Sequence, residues 1–170
     1  MYSNIKYVFI DVDGCLTDGK YHYHDNKSIS KSFYTKDFWA IEKCLELGIN
    51  VVILSGCVDK CTFAKFESFK LQLDKDIKGK IDCSFGTKNK WDYILRLIES
   101  RGLNVNQFFY LGDAENDIQC ISNIKMSFCP IDSSECIKNV LIDSNRNGQI
   151  SNKKGGEGFV YETLLKILND

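Results

Sequence analysis

Lys6-Tyr7-Val8-Phe9-Ile10-Asp11-Val12-Asp13-Gly14 decides the fold. Lys6–Ile10 is a continuous apolar run of strand length, and such a run reads as a strand buried on both faces, the type found in parallel sheets. Two carboxylates and a glycine follow it at once. Working outward, Asn50–Leu54 (NVVIL) is a second buried strand that stops at Ser55-Gly56. Gln107–Leu111 (QFFYL) is a third, ending at Gly112-Asp113, and Lys125–Cys129 is a fourth. Ile81–Phe85 reads as a further short strand. Between the strands lie helical stretches. Asp37 is placed to cap a helix through about Leu47, ended by Gly48. A mixed helical stretch reaches about Phe69. Thr87 is placed to cap a helix carrying Trp91, Ile94, Leu95 and Ile98 on one face, a short helix follows Asp113, and Glu157–Leu168 reads as the terminal helix. Tyr21–His24 and Ile29–Tyr34 flank Asp25-Asn26-Lys27 and read as a β-hairpin. Alternating strands and helices imply an α/β fold, a Rossmann-like doubly wound parallel sheet with right-handed crossovers, with the hairpin (about residues 20–34) inserted after the first strand. Leu71–Lys80 has no clear pattern, and Asp143–Gly158 is the one long polar loop.

The chain has 170 residues, 44% hydrophobic and 26% charged, with one proline. That suits one domain spanning 1–170 that can bury roughly 70% of its unfolded surface without a staple. There is no internal repeat and no linker-like segment. Lys+Arg number 22 against Asp+Glu 23, a net charge of −1, so no broad nucleic-acid surface is expected. No window approaches 18 uninterrupted apolar residues, so no membrane span is expected. Nothing near Met1 resembles a secretion signal, which makes the cytosol the expected compartment. Eight cysteines without a C-x-x-C pair, and only His22 and His24 as histidines, support neither a disulfide framework nor a zinc site. Most of the thiols are read as small buried hydrophobes, and the two histidines as exposed strand residues.

In a sheet of this kind ligands bind beyond the carboxyl ends of the strands. The residues found there are Asp11-Val12-Asp13-Gly14, Ser55-Gly56 and Gly112-Asp113-Ala114-Glu115-Asn116-Asp117. Carboxylates gathered at one rim repel unless a cation joins them, and a hard cation such as Mg²⁺ suits one or two carboxylates, waters and a phosphate. Asp11 and Asp13 stand at i and i+2, so one can attack while the other moves protons. A lone D-x-D-G is more often a turn or a cap. Three strand ends carrying acids or a hydroxyl argue against that reading here.

Asp11-Val12-Asp13-Gly14-Cys15-Leu16-Thr17-Asp18-Gly19 resembles the first motif of haloacid-dehalogenase-superfamily phosphatases, D-x-D-G-x-[LV]-[TW]-D-G. Ser55-Gly56 resembles the second motif, Lys90 in Gly86-Thr87-Lys88-Asn89-Lys90 the third, and Gly112–Asp117 the fourth. The hairpin and the late Gly155-Gly156-Glu157-Gly158 resemble the small capless branch containing the 3-deoxy-D-manno-octulosonate 8-phosphate and nonulosonate 9-phosphate phosphatases. The resemblance runs from about Lys6 to Leu168. It implies a Mg²⁺-dependent phosphatase acting on a small-molecule phosphate ester. Asp11 is then the nucleophile that becomes an aspartyl phosphate, and Asp13 the acid and base. The cation is held by Asp11, the Asp13 main-chain carbonyl and Asp113. Ser55, Gly56 and Thr17 belong to the phosphate-binding set, with Lys88 as a possible substrate contact. Lys90 neutralises charge, supported by Asp117, and family spacing prefers it to Lys88 as the motif lysine. The resemblance further implies a homotetramer built on the aromatic hairpin (Tyr21, Tyr23, Phe33, Tyr34), with the Gly155–Gly158 tail closing over a neighbouring site. As a plain sequence, that tail is a flexible entry into the last helix.

Two departures stand out. The second motif reads Ser55-Gly56-Cys57 where the octulosonate enzymes commonly have T-G-R, which removes a bidentate donor for a substrate carboxylate. Ala114 stands where a second Asp is common. These leave room for a phosphatase of another small metabolite, such as a nucleotide or hexose phosphate, or for a catalytically weak regulatory homologue. Asp143-x-Asn145-x-Asn147-Gly148 resembles the start of a calcium loop, but Lys154 occupies the twelfth position where a Glu is needed, so it is read as a turn.

Overall fold

In a computed structural model, which describes residues 2–142 and 148–170, a six-stranded parallel sheet is flanked by helices on both faces. In chain order the elements are β1 (Tyr7–Asp11), β2 (His22–Tyr23), β3 (Ile29–Ser30), α1 (Thr35–Glu46), β4 (Asn50–Ser55), α2 (Lys60–Gln72), β5 (Ile81–Phe85), α3 (Lys90–Arg101), β6 (Phe108–Leu111), α4 (Ile118–Asn123), β7 (Met126–Cys129), α5 (Glu135–Ile142), β8 (Gln149–Ile150) and α6 (Phe159–Leu168). The sheet order is β5-β4-β1-β6-β7-β8, and β2 pairs with β3 as a separate antiparallel hairpin. All five residues of β1 are buried, because helices cover both sides of it. Val8, Ile10, Val51 and Ile53 face the layer of α1, α2 and α6, where Phe38, Phe66 and Leu164 pack. Tyr7, Phe9, Val52, Leu54 and Tyr110 face the opposite layer, with Ile94, Ile121 and Ile137.

The order places β1 centrally, between β4 and β6. Asp11 pairs in register with Leu54, next to Ser55, and Ile10 with Leu111, two residues before Asp113. The chain runs outward from β1 in one direction through β4 and β5, then returns to β6 on the other side. The crevice at that reversal is where open α/β sheets bind ligands. No described helix is long and apolar enough to cross a membrane.

Several local expectations are corrected. Asp37 does not cap α1, which begins at Thr35 with Tyr34 at its N-cap position. Instead Asp37 is fully buried and accepts a hydrogen bond from the Tyr161 N–H, 2.8 Å away, in the first turn of α6. Thr87 does not cap α3. Asn89 does, accepting from the Asp92 N–H, while the Thr87 hydroxyl lies 2.6 Å from that of Ser84. Asp59 caps α2, which runs past Phe69 to Gln72. The last helix starts at Phe159, after Gly158. The hairpin strands are two residues each, so the pairing stops at Ser30, short of Tyr34. The supposed long polar loop contains β8, which extends the sheet beside β7, and α5 lies just before it. The calcium-like stretch beginning at Asp143 falls mostly outside the described residues. Four cysteines (Cys15, Cys44, Cys120, Cys129) are buried, three are half-buried and Cys57 is exposed. His22 and His24 are both exposed, as expected.

Candidate active site

The carboxyl end of β1 carries the centre of the site. Beyond Asp11 the chain turns tightly: the N–H groups of Leu16 and Thr17 both donate to the Val12 carbonyl, at 2.9 and 3.0 Å. Gly14 sits at φ +91°, and a Cβ there would lie 2.0 Å from Asp113 Oδ2. Only glycine lets the first-strand loop approach the Asp113 carboxylate this closely.

Lys90 opens α3 and is wholly buried. Its Nζ lies 2.7 Å from Asp11 Oδ1 and 2.7 Å from Asp117 Oδ1. The fully buried Tyr110 hydroxyl also donates to Asp117 Oδ1, and the N–H groups of Asp113 and Ala114 donate to Asp117 Oδ2. Asp117 is therefore saturated with donors, and it fixes both Lys90 and the loop that presents Asp113. Burial alone would lower the Lys90 pKa. Asp11 and Asp117 outweigh it, so the ammonium stays charged. Lys88, by contrast, is exposed.

Asp11 and Asp113 are held differently. Burial, then the charge of Asp117, pushes the Asp11 pKa well above the usual carboxylate range despite Lys90. The same two causes raise Asp113 to about 6. Asp113 Oδ1 is buried and has no hydrogen-bond partner among the described residues. An unpaired buried carboxylate oxygen is costly, and a cation is the usual remedy. When all are ionised, Asp11, Asp113 and Asp117 against Lys90 carry a formal charge of −2, which one divalent ion would balance. Ligand atoms of Asp11, Cys15 and Asp113 lie within 4.8 Å of one another. The two carboxylates suit a hard cation. The Cys15 thiol does not, since burial raises its pKa far enough to keep it protonated. The residues present thus fit a divalent cation held by oxygen.

Asp13 projects to the hairpin side. Its Oδ1 accepts from Lys31 Nζ at 2.6 Å and from the Thr17 hydroxyl at 3.2 Å, and its Oδ2 lies 3.4 Å from the Tyr21 hydroxyl. Thr17 is buried, with its hydroxyl also 3.4 Å from the Val12 carbonyl, so this side chain organises the loop. Ser55 is buried at the end of β4 and accepts from the Cys57 N–H at 3.1 Å. Gly56 packs against the Asn116 side chain and the Thr87 carbonyl, which seats the second-strand loop on the third and fourth. The site thus brings together Asp11, Asp13, Lys90, Asp113 and Asp117, with Ser55, Gly56 and Thr17 in the adjoining loops.

The sequence does not mark Lys31 or Tyr110 as site residues, and it marks Tyr21 only as one of the hairpin aromatics. Tyr110 carried a usable signal, because a phenol inside an all-buried strand must find a polar partner. Lys31 carried none: in Ser30-Lys31-Ser32 it reads as a solvated hairpin residue.

No family model matches the chain. The 3-deoxy-D-manno-octulosonate 8-phosphate phosphatase of Haemophilus influenzae is 28% identical over 98% of this chain and 84% of its own length. The cobalt-bound structure of that phosphatase from Haemophilus influenzae superposes with a TM-score of 0.79 over 98% of this chain and 88% of the other. The Moraxella catarrhalis phosphatase of the same name, in complex with magnesium, phosphate and KDO, shares the fold at a TM-score of 0.80, 24% identity and coverage of 99% and 88%. The homologues and structural neighbours of this chain thus include 3-deoxy-D-manno-octulosonate 8-phosphate phosphatases of the haloacid-dehalogenase superfamily, which it resembles over nearly its full length, and the chain is a phosphoric monoester hydrolase.

Proposed function

We propose that this chain hydrolyses the phosphate monoester of a small sugar acid, of the octulosonate 8-phosphate or nonulosonate 9-phosphate type, with Mg²⁺ as its cation. The observation that carries the reading is the buried Lys90 held between Asp11 and Asp117 beside the unpartnered oxygen of Asp113. The Asp11 carboxylate, the Asp13 main-chain carbonyl and the Asp113 carboxylate would hold the cation. When bound, it would neutralise charge on the phosphoryl oxygens and on Asp11.

Asp11 attacks phosphorus: its oxygen–phosphorus bond forms as the ester's phosphorus–oxygen bond breaks, and Asp13 gives its proton to the departing alkoxide. Water then attacks the aspartyl phosphate, Asp13 takes the water's proton, and Asp11 and phosphate are released. Ester and water become alcohol and phosphate. Lys90 lowers the cost of bringing an anionic ester to a carboxylate. Ser55 and Gly56 line the loop that receives the phosphoryl oxygens. In phosphoryl transfer positioning and charge compensation do most of the work, and this set supplies both.

The names of the relatives support a sugar-acid substrate. Cys57, where those enzymes commonly carry an arginine, favours a different acid or another small phosphorylated metabolite. A panel of octulosonate 8-phosphate, nonulosonate 9-phosphate, hexose phosphates and nucleotides, assayed with Mg²⁺ and with chelator, tests this. A sugar-acid phosphate should lead the panel, and Asp11→Asn should abolish turnover without unfolding the chain. Full activity in that variant would remove Asp11 from its role.

The exposed hairpin residues Tyr23 and Ile29 support assembly through this face as a homotetramer. Light scattering that returns a fully active monomer would refute that part.

A further inference from the structure

We propose that Lys31, on the hairpin, is the positioning residue for Asp13, and that Asp59 and Thr62 at the start of α2 hold Lys31 in turn. The inference rests on the assignment of Asp13 as proton donor. The Lys31 side chain is fully buried, and its Nζ lies 2.6 Å from Asp13 Oδ1, 2.8 Å from Asp59 Oδ2 and 3.4 Å from Thr62 Oγ1. The same ammonium sits 4.2 Å from the centre of the Tyr21 ring, whose hydroxyl lies 3.4 Å from the other Asp13 oxygen. Lys31 therefore holds one carboxylate oxygen, and the Tyr21 hydroxyl, which also lies 3.0 Å from Cys57 Sγ, stands near the other, from the opposite arm of the hairpin.

The second layer is equally fixed. Asp59 accepts from the Thr62 N–H and from the Thr62 hydroxyl, both at 2.8 Å, so it caps α2 and anchors Lys31 with the same carboxylate. Lys31 faces two carboxylates, from different elements. Asp59 can therefore keep Lys31 paired when Asp13 gives up its share of the contact on carrying a proton. In this arrangement the hairpin and α2 set where the Asp13 carboxyl points, and the two-residue strands of the hairpin are pinned over the site by a charge rather than by a ladder. Misplacing a catalytic group by about 1 Å costs on the order of 100-fold in rate.

The dependence of rate on the leaving group tests this. Lys31→Met, Lys31→Arg, Asp59→Asn and Asp13→Asn are compared with the unaltered protein on 2,4-dinitrophenyl phosphate, whose leaving group needs no proton, and on an alkyl phosphate, whose leaving group does. The comparison is made in kcat/KM, which reads the transfer to Asp11 and not the later hydrolysis, in which Asp13 is the base for either ester. Lys31→Met should lose roughly 10- to 100-fold in kcat/KM on the alkyl ester and no more than a few-fold on the dinitrophenyl ester. Lys31→Arg should recover part of the loss, and Asp59→Asn should show the same selectivity more weakly. Equal losses on both esters, or none on either, would overturn the inference. If Lys31→Met does not fold, Asp59→Asn and Lys31→Arg carry the same comparison. Should Asp13→Asn itself lose equally on both esters, the proton-donor assignment falls and the role of Lys31 with it. Selectivity in Asp13→Asn but none in the Lys31 and Asp59 variants refutes the role of Lys31 alone.

Discussion

Gly155 lies against the backbone of Gly14 so closely that a Cβ added to it would stand 1.9 Å from the Gly14 carbonyl oxygen. The entry to α6 is thereby packed onto the loop that carries Asp13. The neighbouring Gly156 N–H donates to the Cys15 carbonyl at 3.0 Å, and the Gly155 N–H to Asp132 Oδ1 at 3.1 Å. In this chain the glycine-rich segment thus buttresses its own first-strand loop, and it does so through backbone atoms that leave no room for a side chain.

Gly155→Ala should therefore damage catalysis through the loop. Overpacking of this kind costs about 1–3 kcal/mol, and much of that strain falls on Gly14 and Thr17. The expected result is a lower melting temperature together with a kcat reduced at least several-fold. Gly102→Ala serves as the control, since nothing lies within 4 Å of the position a Cβ would take there. At φ +61° that change should cost about 1–2 kcal/mol in stability and leave kcat unchanged. Thermal melts and steady-state assays of both variants decide the matter.

Lys90→Met should be the most damaging single change at the site. It leaves Asp11 and Asp117 buried without their shared cation, and breaking a buried pair from one side costs about 3–5 kcal/mol. Protonation of the stranded Asp11, whose pKa burial already raises, relieves part of this, so the variant should lose more stability at pH 8 than at pH 5. Turnover should vanish at both. Lys88→Ala changes an exposed side chain and should leave stability within about 0.5 kcal/mol, with any effect confined to KM. Denaturant melts of the two variants at both pH values test the contrast.

Much of this site was legible in the sequence because the residues that end the buried strands are also the residues to which the chemistry is assigned under the proposed function. Lys6–Ile10 had to be a buried strand, and what followed it had to face the crevice. The parts that were not legible depend on packing between elements distant in sequence. Asp37 looked like a helix cap because acids often occupy that place, yet it serves a helix more than 120 residues away. Lys31 has no local feature that separates it from a solvated lysine. α5 buries only Ile137 and Leu141, and β8 is two residues long, too little pattern for either to be read without the sheet they complete.

Cation binding should be visible as stability that depends on pH. Without an ion, the Asp113 pKa in the folded chain is raised to about 6 from its ordinary 3.8. The folded state then holds the proton more tightly than the unfolded state, so this carboxyl makes stability fall as pH rises from about 4 to about 6. A divalent cation binds the ionised form and reverses the sign. The increase in melting temperature on adding Mg²⁺ to chelator-treated protein should thus be small at pH 5 and large at pH 8, where the stabilisation approaches about 2.7 kcal/mol at a hundredfold excess over Kd. Asp113→Asn should abolish the increase at both pH values. A shift of equal size at pH 5 and pH 8 would point to a cation held elsewhere.

Asp37 offers the same linkage away from the site. Burial raises its pKa to about 7, with the Tyr161 N–H opposing only in part, and its Oδ2 is buried without a partner. A carboxyl whose folded pKa lies above its unfolded value contributes most to stability below about pH 4. Its contribution declines through about pH 7, by which point the folded chain has had to ionise a buried acid. Asp37→Asn keeps an acceptor for the Tyr161 N–H and removes the titration. In chelator-treated protein, where the carboxylates of the site titrate equally in both forms, the melting curve of the unaltered chain should fall relative to Asp37→Asn between pH 5 and pH 8. The relative change should be on the order of 2 kcal/mol, about 4–8 °C for a chain of this size. Because Asp37 acts at the first turn of α6, which follows directly on Gly155–Gly158, the protection of that segment from hydrogen exchange, corrected for the intrinsic rise of exchange with pH, should fall over the same pH range in the unaltered chain and not in the variant. Parallel melting curves for the two proteins would show that Asp37 does not titrate in this range.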